Sequence, residues 1–338
     1  MMAKWVLGLI LIVLLPGLAI GSGNPPLKLV RTFPMAGVRG HFDHLEADVT
    51  GHRLFVAAED QHAVEVLDLR TGRRLKELRG LVKPHAIVFL PRQNELFVTD
   101  GGAGELKVFQ ASTYRLLKTI KLQIDADSAY YDNDSGRLFV VSGGADAGQS
   151  YSFISVIDTR TLSNVKNIRI PNDHLEAIRL DGSDRLFANV TGANEVGVVD
   201  LARGALTTTW PLAGGEHNTP MDIDRNDHRL FVVTRRPAKF FVLDTQTGKI
   251  VASLDCSGDA DDMVYAAADH CVLVSCGAGF INIYRQLDPN HYVLDAKIPS
   301  APGAKTSLWV PSLHRYYVAA PAQGSTSARI LVFQGLAR

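Results

Sequence analysis

Short apolar runs return along this chain at near-constant spacing. They read RLFVA at 53–57, ELFVT at 95–99, RLFVV at 137–141, RLFAN at 185–189, RLFVV at 229–233, CVLVS at 271–275 and RYYVA at 315–319. Successive copies start 42, 42, 48, 44, 42 and 44 residues apart. After each comes a glycine-rich or polar loop, such as GGAG at 101–104 or TGAN at 191–194, and then a second β-rich run. VEVLDL at 64–69, ISVIDT at 154–159, VGVVDL at 196–201 and FFVLDT at 240–245 are examples. Asp68, Asp158, Asp200 and Asp244 close these runs, and Gly72, Gly204 and Gly248 follow three of them four residues later. Asp opens such a turn with its side-chain acceptor, and Gly supplies positive φ at its end. A further strand follows, as in RRLKEL at 73–78, and one more precedes each apolar run, as in LEADV at 45–49.

Four short strands with short connections make an antiparallel meander. Self-similarity at roughly 40–45 residues suits a four-stranded propeller blade. Seven copies therefore predict an all-β, seven-bladed β-propeller over residues 27–338, with no helical period in it. The seventh unit stops after RILVF at 329–333 and lacks an outer strand, while LKLVRTF at 27–33 is a strand with no blade. Pairing the two closes the ring and removes its open edges.

The first 22 residues read as an export signal. Lys4 precedes an apolar run from Trp5 to Leu15, then Pro16 and small residues around Ala19 to Ser22. That is an h-region and a cleavage zone, too short for a bilayer span of roughly 20 residues. The rival reading is a retained anchor; the mature chain holds no other stretch long and apolar enough to span. A periplasmic or secreted protein is expected. Of three cysteines, Cys256 ends an outer strand just before the sixth unit and Cys276 ends that unit's apolar run, both near the top face, so they are the expected pair, with Cys271 outside it. No C-x-x-C or C-x-x-C-H is present, so redox-dithiol and covalent-haem chemistry are unsupported. Lys plus Arg equals Asp plus Glu at 35 each, without the basic excess that phosphate neutralisation favours.

LFVTD at 96–100 stands where YVTN-type repeats carry their signature. The chain resembles the YVTN-repeat, YncE-like β-propeller proteins. DHLEAD at 43–48, GDADDMVY at 258–265 and PGAKTSLWVP at 302–311 are similar to exported bacterial members. The resemblance implies the fold. It leaves function open, because the family spans DNA-binding propellers, surface-layer proteins and lactonase-like enzymes.

In a propeller the segments before the innermost strands converge on one channel mouth. Here they hold His41, His44, His85, His174 and His217 together with Asp43, Glu46, Asp125, Asp127, Asp173, Glu176, Asp259, Asp261 and Asp262. DHLEA occurs at 43–47 and again at 173–177, three blades away. Imidazole suits transition metals and carboxylate suits harder cations, and the two together also serve acid–base work. The expected ligand-binding set is His44, Glu46, His85, Asp127, His174, Glu176, His217 and Asp262. A divalent metal ion, the one cofactor suggested, would take His44, His85, His174 and Asp127. The same residues have a plain structural reading, since Asp before a strand caps the incoming turn. The alternatives are a monomeric binding propeller offering its top face to a small molecule or protein, a lactonase- or metal-hydrolase-like enzyme, and, third, a DNA binder. No G-x-S-x-G or H-E-x-x-H occurs, and the glycine-rich loops precede no helix that could hold a phosphate.

Overall fold

The computed structural model describes residues 25–335, and the expected export segment at 1–22 lies outside them. The strands form seven four-stranded antiparallel sheets. Blade 1 runs Phe42–Asp48, Arg53–Ala58, Ala63–Asp68 and Arg74–Leu78, from the channel outward. Blades 2 to 6 repeat this order. Blade 7 takes Thr306–Val310, Arg315–Ala320 and Arg329–Gly335 from the end of the chain. Its outer strand is Leu27–Pro34, in a register from Leu27 opposite Gly335 to Pro34 opposite Arg329, broken by one bulge. The ring closes as the orphan strand foretold.

The continuous apolar runs are explained by burial on both faces. Leu54 and Val56 pack toward blade 7 with Tyr317 and Val332, while Phe55 and Ala57 pack toward blade 2 with Leu96 and Val98. The seven hydrophobic clusters each join two neighbouring blades, one cluster per interface. No single blade could bury both faces alone, so the array is stable only as a ring.

The punctuation between strands follows side-chain chemistry. Asp68 Oδ1 accepts from the N–H groups of Arg70 and Thr71, and Gly72 ends the turn at φ +74°. His52, His228, His270 and His314 share the tight turn before the second strand, and each is left-handed there. They are turn residues at the end of the ring away from the mouth. Helical structure among the described residues is limited to five three-residue 3-10 turns. Cys256 and Cys276 are adjacent without the expected disulfide, their thiols in hydrogen-bond contact at 3.9 Å, and Cys271 starts the strand that Cys276 ends.

Gly72 also supports the seam. A Cβ there would lie 2.2 Å from the Phe33 ring, and L side chains resist its φ. Gly72→Val is therefore expected to destabilise by about 2–3 kcal/mol through overpacking and backbone strain. A denaturant midpoint unchanged from wild type would show that this contact carries no load.

Candidate functional site

The inner strands start at the mouth, and the second strands end there. In blade 1 this places Phe42 opposite Ala58, so Asp43 and His44 share a face of the ring with Glu59. The resulting cavity, of about 550 Å³, is lined by residues from all seven blades. His44, His85, Asp127, Glu176 and Asp262 line it, as expected from the sequence. So do Asp43, Glu59, Lys83, Arg235, Asp261 and Lys305.

Carboxylates and imidazoles alternate along one arc. His85 Nδ1 lies 3.6 Å from Asp127 Oδ1 and 2.5 Å from Asp43 Oδ2. Asp43 Oδ1 is 3.5 Å from His44 Nε2, and His44 Nδ1 is 3.2 Å from Asp262 Oδ1. Asp262 Oδ2 accepts from the N–H of Ser307 at 2.8 Å. The sequence of contacts thus links blades 3, 2, 1, 6 and 7. Beside the blade 6 and 7 end of this series lies a permanent-charge cluster: Arg235 of blade 5 pairs with Asp261, and Lys305 Nζ lies 3.1 Å from the same carboxylate.

Burial and pairing set the charges. Burial opposes ionisation of Asp43, but His44, the hydrogen bond to His85 and Lys305 outweigh it and hold the carboxyl far below its ordinary range. Burial opposes protonation of His44 too, yet Asp262 and Asp43 lift it well above 6.5. His85 is lifted to about 9, because Asp127 and Asp43 overcome its burial. Burial, reinforced by Asp43, Glu176 and Asp125, raises Asp127 to about 7 against the pull of His85. Asp261 is raised to about 6 by burial despite Lys305 and Arg235. Near neutral pH the mouth therefore holds two imidazolium ions locked between carboxylates.

The remaining expected residues lie elsewhere. Glu46 sits further down the same strand as His44, outside the cavity lining, where burial raises it to about 7. His174 is at the exposed rim, its Nε2 3.2 Å from Glu176 Oε1. His217 is exposed and left-handed, and its backbone N–H caps onto Asn194 Oδ1. The four expected metal residues do not gather. The two DHLEA copies differ locally: the first lies within the strand Phe42–Asp48, whereas the second precedes the strand Ile178–Leu180. His174 is consequently left outside the ring of contacts that contains His44.

Among the described residues, the ligand atoms that do gather belong to Asp43, Glu59 and His85, within 4.8 Å of one another. Such a trio could hold a hard or borderline divalent ion, although Lys83 already pairs with Glu59 at 3.2 Å. Glu59 and Arg235 escaped the sequence reading because they arrive from the end of the second strand, not from the start of the first. The antiparallel register of the two strands is the signal that would have found them.

Ser307 lines the cavity, but its hydroxyl bonds Ser275 and Tyr316, at 2.6 and 2.8 Å, not an imidazole. A Ser–His nucleophile is thus not assembled there. Gly101 makes room for His85, since a Cβ at 101 would lie 2.7 Å from Nε2 of that ring. Gly101→Ala should push the imidazole off Asp43 and cost about 1–3 kcal/mol. An unchanged His85 titration by NMR in that variant would contradict this packing.

The ring and its mouth define a seven-bladed β-propeller. Solved structures agree: a chain of Kuenenia stuttgartiensis hydrazine synthase superposes with TM-score 0.75 at 17% identity, covering 90% of this chain and 97% of that one. A chain of the mitotic checkpoint complex gives 0.75 at 12% identity, covering 96% and 100%. At such identities the likeness shows the fold alone. No family model matches the sequence. Over 104 residues the chain is 32% identical to the uncharacterized protein YncE of Salmonella typhimurium and 31% identical to that of Salmonella typhi. The chain is thus a seven-bladed β-propeller with a stretch similar to YncE. Each alignment spans 31% of this chain and 29% of the relative.

Proposed function

We propose that this chain is an exported binding propeller whose channel mouth takes a small polar molecule bearing both a cationic and an anionic group. The observation that carries the reading is that one cavity is lined by charges of both signs from different blades. From blades 3 and 4, Asp127 and Glu176 offer carboxylates toward a cation. From blades 5 and 7, Arg235 and Lys305, which share the Asp261 carboxylate, offer cations toward an anion. A polar-lined cavity of this size suits a small ligand. Pairing within the mouth pre-sets the side chains, which lowers the ordering cost of binding. Export rests on the apolar segment near the N-terminus. Among the described residues no helix is long and apolar enough to cross a membrane.

A thermal-shift panel of amino acids, betaines, polyamines, dicarboxylates and sugars tests the proposal. Compounds carrying both charges should raise the melting temperature more than those carrying one or none. A flat response across the panel would remove the reading. A second reading, a divalent ion at Asp43, Glu59 and His85, is favoured by their convergence. Elemental analysis of the purified protein, with His85→Gln alongside, separates the two. Stoichiometric metal lost in the variant would favour the second, and turnover in a lactone and ester screen would favour a hydrolase.

A further inference from the structure

We propose that the underside of the seam between blades 7 and 1 binds an organic carboxylate with an apolar body. The proposal is independent of the mouth. A second cavity, of about 470 Å³, lies there between the closing strand and blade 1. Phe33, Leu69 and Tyr317 give it buried apolar walls. Arg31, Arg70 and Arg315 line it, and among the described residues no carboxylate does.

The repeat gives the comparison. In blades 1, 4 and 5 the arginine that opens the second strand is consumed by its own blade and the next, and in blade 3 Arg137 pairs with Asp158 of its own blade. Arg53 pairs with Asp48 and donates to the carbonyl of Ala111 in blade 2. Arg185 pairs with Asp181 and donates to the carbonyl of Thr245 in blade 5. Arg229 pairs with Asp244 and donates to the carbonyl of Pro289 in blade 6. Arg315 holds the same place in blade 7, but its strand neighbours are Val310 and Gln334. Among the described residues its Nη1 is buried without a hydrogen-bond partner. Arg31, from the closing strand, donates to a blade 1 carbonyl, that of Arg70.

An unpartnered buried donor is costly unless something accepts from it. A guanidinium fork matches a carboxylate with two parallel hydrogen bonds. The apolar walls then favour a ligand with a hydrocarbon body over an inorganic anion, and the volume suits a small molecule. The geometry points to an aliphatic or aryl-alkyl monocarboxylate whose head group meets Arg315 and whose body packs on Phe33, Leu69 and Tyr317.

Calorimetric titration of the full chain with octanoate and 4-phenylbutyrate tests this, with octanol and sulfate as controls. The carboxylates should bind and the controls should not. Arg315→Gln, which removes no existing partner, should weaken binding at least tenfold while the melting temperature holds. Val30→Trp narrows the cavity without touching Arg315 and should weaken it similarly. Arg203→Gln, an exposed charge on blade 4, should leave it unchanged. No binding by wild type at millimolar concentration, or equal binding by wild type and Arg315→Gln, would overturn the proposal.

Discussion

Deleting residues 25–34 is expected to lower the unfolding free energy by about 5 kcal/mol or more. The closing strand contributes Leu27 at 2% and Phe33 at 1% exposure to two separate interface clusters. Each such side chain stabilises by roughly 2–3 kcal/mol when fully buried. The deletion also strips the ladder partner from Arg329–Gly335, leaving an apolar strand as an open edge. Urea denaturation should show an earlier midpoint, and size-exclusion chromatography should show association through the new edge. A variant that melts with wild type would mean that the blade closes without its N-terminal strand.

The second large effect is a loss of stability as pH rises from about 4 to about 9. His85, at about 9 in the fold and near 6.5 when unfolded, keeps a proton that the unfolded chain has released. Its contribution is complete below about pH 6.5 and disappears as pH climbs through about 9, worth roughly 3 kcal/mol. His44 is raised as well and acts in the same direction. Asp127 and Glu46, each raised to about 7, also hold protons longer in the fold, so they too favour the folded state on the acid side. Asp43 works oppositely: its depressed pKa stabilises above its unfolded value and fails only in strong acid. The difference between wild type and His85→Gln should therefore shrink from pH 6.5 to pH 10. A constant difference across that range would show that His85 is not held as imidazolium.

Most of the ring was legible in the sequence because propeller chemistry is local and repeated. Leu54, Phe55 and Val56 announce a strand buried on both faces, and Asp68 with Gly72 announces the turn that follows. Even the closure could be read, since Phe33 had no blade of its own to occupy. The mouth was only partly legible. Five of the eight expected ligand residues line the cavity, because position before an inner strand does place a residue at the top. His217 departs because a left-handed backbone turns it out. Glu46 departs because it is one step too far down the strand. Glu59 and Arg235 were missed because long-range register, not adjacency in sequence, brings them to the cavity. Pairing was invisible as well: nothing in the segment at 43–48 shows that His44 reaches Asp262, from a blade that is not its neighbour.

The functional account rests on a mouth lined by both carboxylates and cations. Its most direct test is calorimetric titration of the best two-charge compound from the panel into wild type, Asp127→Asn and Arg235→Gln. The account predicts that each variant weakens binding at least tenfold while the circular-dichroism spectrum stays that of the folded propeller. Unchanged affinity in both variants would contradict it and place the ligand, if any, away from the mouth.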